Sequence, residues 1–182
     1  MSTERDDGAG EWLYLGLGAN LGDRAASLWT AIERLGRVLG EVRVSPCYET
    51  APVGFEDQPD FLNLVLVGRT GLEPRAALRL ALGIERALGR QRGDGPRFGP
   101  RTIDIDLLLY GARRFNEPDL QLPHPRLIDR AFVLGPLRDL EPALILPHSP
   151  SASVTVADLW SALPAAERAG VRRTVALSAP GS

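Results

Sequence analysis

Thr102-Ile103-Asp104-Ile105-Asp106-Leu107-Leu108-Leu109-Tyr110 is the stretch that decides the fold. It is the strongest strand signal in the chain, a run dense in isoleucine and leucine. Upstream lies Gly89 to Pro100, with four Gly, two Pro and three Arg in twelve residues, which excludes a regular element. Before it, Glu73-Pro74 opens a helix whose apolar face is Ala77, Leu80, Ile84 and Leu88. Further back come a strand over Phe61 to Val67, a Pro- and acid-rich loop over Thr50 to Asp60, and a strand within Val42 to Tyr48. Leu28, Ile32, Leu35 and Leu39 are spaced as one helical face, ended by Gly40. The first strand, Trp12 to Leu17, breaks at Gly16-Leu-Gly18-Ala-Asn20-Leu-Gly22, after which Asp23 or Asn20 can cap the helix. Downstream, a hairpin is expected over Gly111 to Leu122, then the bounded segment Pro123-His124-Pro125 and a short helix over Arg126 to Leu134.

The resulting order, β-α-β-β-α-β, predicts an α+β fold with a ferredoxin-like core: a mainly antiparallel sheet with helices on one face and C-terminal helical additions. Those additions include a helical stretch over Val156 to Leu163. The 182 residues suit one domain, expected over 11–165, with residues 1–10 a disordered tail and 166–182 a poorly ordered extension. Composition is that of a globular protein, 44% hydrophobic and 24% charged, with a net charge of -2. A pI of about 5.7 argues against a general polyanion binder. Every cationic side chain is arginine, so a lysine Schiff base and a Walker-type lysine are excluded. Cys47 is the single cysteine, in an apolar run, and reads as a core residue; with no internal disulfide, a cytoplasmic location is expected. The acidic, polar N-terminus lacks the apolar region of a signal peptide, and no run of ~20 apolar residues indicates a membrane span.

The chemistry concentrates on Asp104 and Asp106. Residues two apart in a strand share a face, so these carboxylates stand roughly 7 Å apart between alpha carbons, with Leu108 and Tyr110 expected on that same face. Adjacent carboxylates near a core repel unless a cation lies between them or one is protonated. Mg²⁺ is the natural candidate, because it takes oxygen ligands and is held by one or two carboxylates plus phosphates. The alternative is an edge strand carrying two solvated aspartates. Arg86, Arg90, Arg92, Arg97 and Arg101 precede the pair within sixteen residues, and guanidinium groups suit phosphate oxygens. A metal pair beside an arginine loop is what phosphoryl or pyrophosphoryl transfer requires. Gly16-Leu-Gly18 reads as a tight turn, since the third Gly of a dinucleotide fingerprint is misplaced. His124 is either a phosphate donor or a structural cap, and His148 reads as structural. Phe61 and Asn63 share a strand face and suit a flat, hydrogen-bonding heterocycle, or Phe61 packs in the core.

Taken together these segments resemble the 6-hydroxymethyl-7,8-dihydropterin pyrophosphokinases of folate biosynthesis. The resemblance rests on Gly18-Ala-Asn20-Leu-Gly-Asp23, Tyr48-Glu-Thr50-Ala-Pro52-Val-Gly54, Asp57-Gln-Pro59-Asp60-Phe61-Leu-Asn63 and Arg97-Phe-Gly99-Pro-Arg101-Thr-Ile-Asp104-Ile-Asp106-Leu-Leu108. Leu122-Pro-His124-Pro-Arg126 and Arg130-Ala-Phe132-Val-Leu134 complete it, so it spans about residues 12 to 163. It implies transfer of the β,γ-pyrophosphoryl group of ATP to the pterin hydroxymethyl oxygen, releasing AMP. It implies that Asp104 and Asp106 hold two Mg²⁺ ions and that Arg90 and Arg92 close over the phosphates as catalytic residues. Glu85, Phe98, Arg101, Leu107, His124 and Arg130 are the implied ATP contacts. Thr50, Pro52, Val53, Phe61, Asn63 and Phe132 are the implied pterin contacts, the two rings sandwiching the heterocycle. Phe61 stands where Tyr is frequent, Phe98 where some members have Trp, Ala19 where Ser is usual, and Pro125 where some have Tyr. The expected partners are ATP and the pterin, with no nucleic acid or membrane, and pathway neighbours as separate proteins. Two rival readings are a ferredoxin-like RNA-binding module, against which stand the acidic pI and the lack of an aromatic ribonucleoprotein motif, and a catalytically inactive homologue.

Overall fold

The computed structural model describes residues 10–52, 54, 57–90, 99–147, 153–174 and 177. The strand β1 (Glu11–Ala19) is followed by α1 (Arg24–Gly36), β2 (Gly40–Val44), β3 (Tyr48–Thr50), β4 (Phe61–Thr70), α2 (Pro74–Ala87) and β5 (Asp104–Tyr110). A small hairpin, β6 (Phe115–Glu117) with β7 (Leu120–Leu122), leads to α3 (Ala131–Leu140), α4 (Val156–Ala162), α5 (Ala165–Ala169) and β8 (Val171–Arg173). The main sheet runs β5-β1-β4-β3-β8, with β2 also paired to β4, and every pairing is antiparallel. The βαββαβ core is therefore present, with β1 at its centre. No helix among the described residues is long and apolar enough to cross a membrane.

Alternation along β1 sends Leu13, Leu15 and Leu17 to one face, where they pack with Leu28, Ala31 and Leu35 of α1 and Ala77, Ala81 and Ile84 of α2. Asp23 settles the start of α1: its Oδ1 accepts the Ala26 N–H at 2.9 Å. The opposite face of the sheet, through Val65, Val67, Leu108 and Leu109, carries Leu134 and Leu137 of α3 and Leu159 and Trp160 of α4. Helices thus cover both faces, the two of the core unit on one and the C-terminal additions on the other.

The structure departs from the sequence reading in several places. The strand expected within 42–48 is two strands, because Pro46 has no N–H to give the ladder. Ser45 bridges the gap: its N–H donates to Val65 O, and its hydroxyl oxygen accepts from Val65 N, both at 2.9 Å. The helix expected over 126–134 starts only at Ala131 and continues through Gly135-Pro136 to Leu140, since complete burial of Leu137 outweighs the Pro136 penalty. A β-bulge lies in β5, where Leu15 pairs with Leu107 but Tyr14 with Leu109, leaving Leu108 as the extra residue. The strict alternation expected there therefore fails: Leu109 joins Leu108 beneath α3, and Tyr110 turns to the α1/α2 face, its hydroxyl donating to Leu72 O at 2.7 Å. Finally, residues 165–173, expected largely as a loose extension, form α5 and the edge strand β8.

Cys47 is 1% exposed, and burial raises its thiol pKa to about 11. The native protein should therefore resist a thiol-specific reagent at pH 8 and react promptly once unfolded in urea, so labelling should track the far-UV transition. Rapid labelling without denaturant would show that the core around Cys47 is open.

Candidate functional site

Two glycines make the floor. In β1, Gly16 pairs with Asp106 on one side and Val65 on the other, and Gly18 pairs with Asp104 and Asn63. Cross-strand partners point to the same face, so Asp104, Asp106, Asn63 and Phe61 rise around positions that have no side chain. A Cβ at Gly18 would stand 2.7 Å from Asn63 Oδ1, and one at Gly16 would touch Leu108 at 3.5 Å. The pair does not form the turn its sequence suggests; the chain leaves β1 only after Ala19, and Gly22, with φ of 62°, supplies the left-handed residue. Above this floor is a cavity of about 750 Å³, walled by Arg130 and Phe132 at the start of α3, by Thr50 to Pro52 after β3, and by Arg90, Arg101 and His124.

One end of the cavity is charged. Asp104 is paired with Arg90 and, through Oδ2, with Arg101 Nη1 at 2.9 Å, while Asp106 Oδ2 meets Arg130 Nη1 at 3.0 Å. Side-chain exposures of 20% for Asp104 and 39% for Asp106 leave both reachable from the cavity. Arg90 also pairs with Glu85, which is 1% exposed and accepts the Ile105 N–H at 2.8 Å. Arg101 is fixed through its backbone: its N–H donates to Asn20 Oδ1 at 2.8 Å, and its carbonyl accepts from Asn20 N at 3.1 Å. The Asn20 amide donates in turn to Gln58 Oε1 and Pro59 O. Arg101 Nε is buried and has no hydrogen-bond partner among the described residues.

The other end is aromatic. Phe61 and Phe132 are each overlain by a guanidinium, Arg101 at 5.1 Å and Arg130 at 5.4 Å from the ring centroids. Buried Asn63 donates through Nδ2 to Thr50 Oγ1 at 2.8 Å. This bond fixes the amide plane and turns Oδ1 toward Gly18. His124 hangs from the bulge, its N–H donating to Leu108 O at 2.8 Å, and its Nδ1 accepts from Arg126 N at 3.2 Å. Burial holds its pKa below the usual histidine value, Arg130 and Arg126 push the same way, and Asp106 opposes them. The neutral ring therefore carries its proton on Nε2.

The expected site residues Thr50, Pro52, Phe61, Asn63, Arg90, Arg101, Asp104, Asp106, His124, Arg130 and Phe132 line one cavity. Glu85 and Leu107 do not. Glu85 lies beneath it, holding Arg90 and the backbone of Ile105, and the Leu107 side chain is in the core shared with α1 and α2. Val53, Arg92 and Phe98 fall outside the described residues, as do Arg97 and His148. Among the described residues no three or more His, Cys, Asp or Glu side chains gather as a metal cluster, so Asp104 and Asp106 stand as a two-carboxylate site. Sequence reading missed the floor role of Gly16 and Gly18 and the bracing role of Asn20, and it gave no role to Glu167, Gly170 or Val171, which also line the cavity. A glycine on alternate positions of a buried strand, opposite two carboxylates, is the signal that exposes the floor.

Comparison with known proteins points the same way. The chain is 43% identical over 129 residues to a 2-amino-4-hydroxy-6-hydroxymethyldihydropteridine pyrophosphokinase of Bacillus subtilis, covering 70% of this chain and 76% of that one. It is 46% identical over 136 residues to the protein of that name from Methylorubrum extorquens, covering 73% and 84%. It is 44% identical over 141 residues to a mitochondrial folate synthesis bifunctional protein of Arabidopsis thaliana, of which it covers 24%. Among solved structures, a Plasmodium falciparum HPPK-DHPS with pterin and p-hydrobenzoate shares the fold, with a TM-score of 0.66 at 15% identity over 90% of this chain. The chain spans about half the length of that protein, 47%. Residues 14–142 match the model of one family, and the chain belongs to it: the 7,8-dihydro-6-hydroxymethylpterin-pyrophosphokinases.

Proposed function

We propose that the protein transfers the β,γ-pyrophosphoryl group of ATP to the hydroxymethyl oxygen of 6-hydroxymethyl-7,8-dihydropterin, giving the pterin diphosphate and AMP. The observation that carries this reading is the union, in one cavity, of an arginine-flanked carboxylate pair and an aromatic pocket with a buried, oriented amide. A polyphosphate needs the first and a flat heterocycle needs the second, and transfer needs them adjacent.

At the aromatic end, Phe61 and Phe132 stack on the faces of the pterin ring, and Asn63, held by Thr50, reads its polar edge. The backbone from Thr50 through Pro52 completes that edge, and the family resemblance adds Val53. At the charged end, Arg101, Arg130 and His124 Nε2 donate to nucleotide phosphate oxygens. Arg90 extends the cationic wall, and the family resemblance assigns Arg92 to the same phosphates. Asp104 and Asp106 fit a pair of Mg²⁺ ions: they are hard oxygen donors, adjacent, open to the cavity and without further protein ligands among the described residues, which leaves coordination to phosphates and water. When bound, the metal screens phosphate charge and acidifies the attacking hydroxyl. Arg90, Arg101 and Arg130 balance both aspartates until substrate arrives, then turn to the phosphates. Glu85 is a positioning residue, keeping Arg90 at the cavity edge. The buried Cys47 thiol suits a reducing compartment, and we assign the protein to the cytoplasm.

The direct test incubates the protein with ATP, Mg²⁺ and 6-hydroxymethyl-7,8-dihydropterin and separates the nucleotides. AMP forming only when pterin is present is the expected result; ADP, or no pterin-dependent product from folded protein, would overturn the reading. Asp106→Asn should lower kcat by about 10²–10³-fold while pterin affinity stays within about threefold, because the loss falls on charge stabilisation during transfer. Asn63→Ala should do the reverse, weakening pterin binding by about tenfold or more and leaving ATP affinity unchanged, since it removes the group that pairs with a buried polar edge. Titration calorimetry of each substrate on each variant separates the two patterns.

A further inference from the structure

The family match ends at residue 142, yet a later segment reaches the cavity. Glu167 of α5, Gly170 at its C-terminal end and Val171 of β8 line it, on the side formed by Thr50, Pro52 and Phe132. The docking of this segment is specific. β8 pairs in register with β3, Val171 opposite Thr50, Glu49 opposite Arg172 and Tyr48 opposite Arg173. The Thr174 N–H donates to Cys47 O at 2.9 Å. Arg172 reaches Glu49 and Asp60, and Arg173 reaches Asp139, which also accepts the Tyr48 hydroxyl at 2.7 Å. A methyl group at Gly135 would lie 3.4 Å from Val171 Cγ1 and 3.1 Å from Trp160 Cζ3, so Val171 rests on α3 one turn after Phe132.

We infer that residues 165–173 are part of the pterin subsite and set its affinity for the heterocycle. This rests on the pterin reading given above. Two consequences of docking support it. β8 takes the free edge of β3, which fixes the strand whose Thr50 hydroxyl orients Asn63. Val171 backs the α3 turn that carries Phe132 and adds apolar wall to the same end of the cavity. A heterocycle held between Phe61 and Phe132 therefore gains from a docked segment, whereas the Asp104 and Asp106 end is built from β5, α2 and α3. By linkage, a ligand favoured by the docked segment must also favour docking.

The experiment uses the full chain, Mg²⁺ and α,β-methylene-ATP, whose carbon bridge replaces the bond to be broken. Pterin affinity is measured by calorimetry for the full chain, for a chain ending at Leu163, and for the full-length variant Val171→Gly. The inference expects pterin Kd to rise about tenfold or more on truncation and by a smaller factor in Val171→Gly, with the affinity for the nucleotide analogue within twofold in both. It also expects saturating pterin, and not the analogue alone, to slow trypsin cleavage after Arg168, Arg172 and Arg173. Unchanged pterin affinity in Val171→Gly together with tryptic cleavage indifferent to pterin would overturn it, even if the truncated chain failed to fold. Failure of the intact full chain to bind pterin at all would instead strike the functional reading on which the inference rests.

Discussion

Asp104 and Asp106 are like charges side by side on β5, the strand at one edge of the main sheet, and much of the structure answers to that repulsion. Three guanidinium groups face them, from the end of α2, from the segment entering β5 and from the cap of α3. Those arginines need anchors of their own. Glu85 is buried at 1% exposure for the sake of Arg90, and Asn20 clamps the backbone of Arg101. Removing one member of such a set leaves an uncompensated charge in a partly buried place, which costs more than the pair itself contributes. The same arrangement explains the choice of arginine throughout: a planar fork can hold a carboxylate now and a phosphate later with no change of charge.

The sheet supplies geometry in a different currency, by omission. Gly16 and Gly18 remove two side chains from the central strand, and the space left is what Asn63, Phe61 and the aspartates surround. Glycine inside a strand weakens it, and here the loss is offset by pairing on both sides along nearly its whole length. The cavity thus lies over a strand paired on both sides, whose ladders set the spacing of the donors and acceptors around it.

Much of this was legible in the sequence. The βαββαβ order follows from periodicity, and the aspartate pair and arginine loop announce their chemistry by residue type alone. What escaped was mostly tertiary. Leu107 is misassigned by the resemblance alone: two-residue alternation already puts its side chain on the face opposite the aspartates, where it packs with the core beneath α1 and α2. Glu85 carries a charge that a sequence places at a surface, yet the structure buries it against Ile105 N–H and Arg90. Gly135-Pro136 carries the signature of a helix stop, overridden by the apolar contacts of Leu137. β8 is three residues long and has two arginines, so its pattern alone reveals nothing; it exists because β3 offers an open edge.

The bulge at Leu108 joins these themes. An antiparallel ladder is a repeating lattice in which each rung is chemically like the next, so it offers no unique point of attachment. One surplus residue breaks that equivalence. It makes a single rung distinguishable, with a carbonyl released from the ladder, and His124 hooks onto that oxygen. Counting from this mark, the strand's first half keeps the phase that presents carboxylates to the cavity, and its second half takes the opposite phase to seal the core. A one-residue insertion thus serves as a boundary marker that lets a single strand obey two phasings, wet on one side and dry on the other.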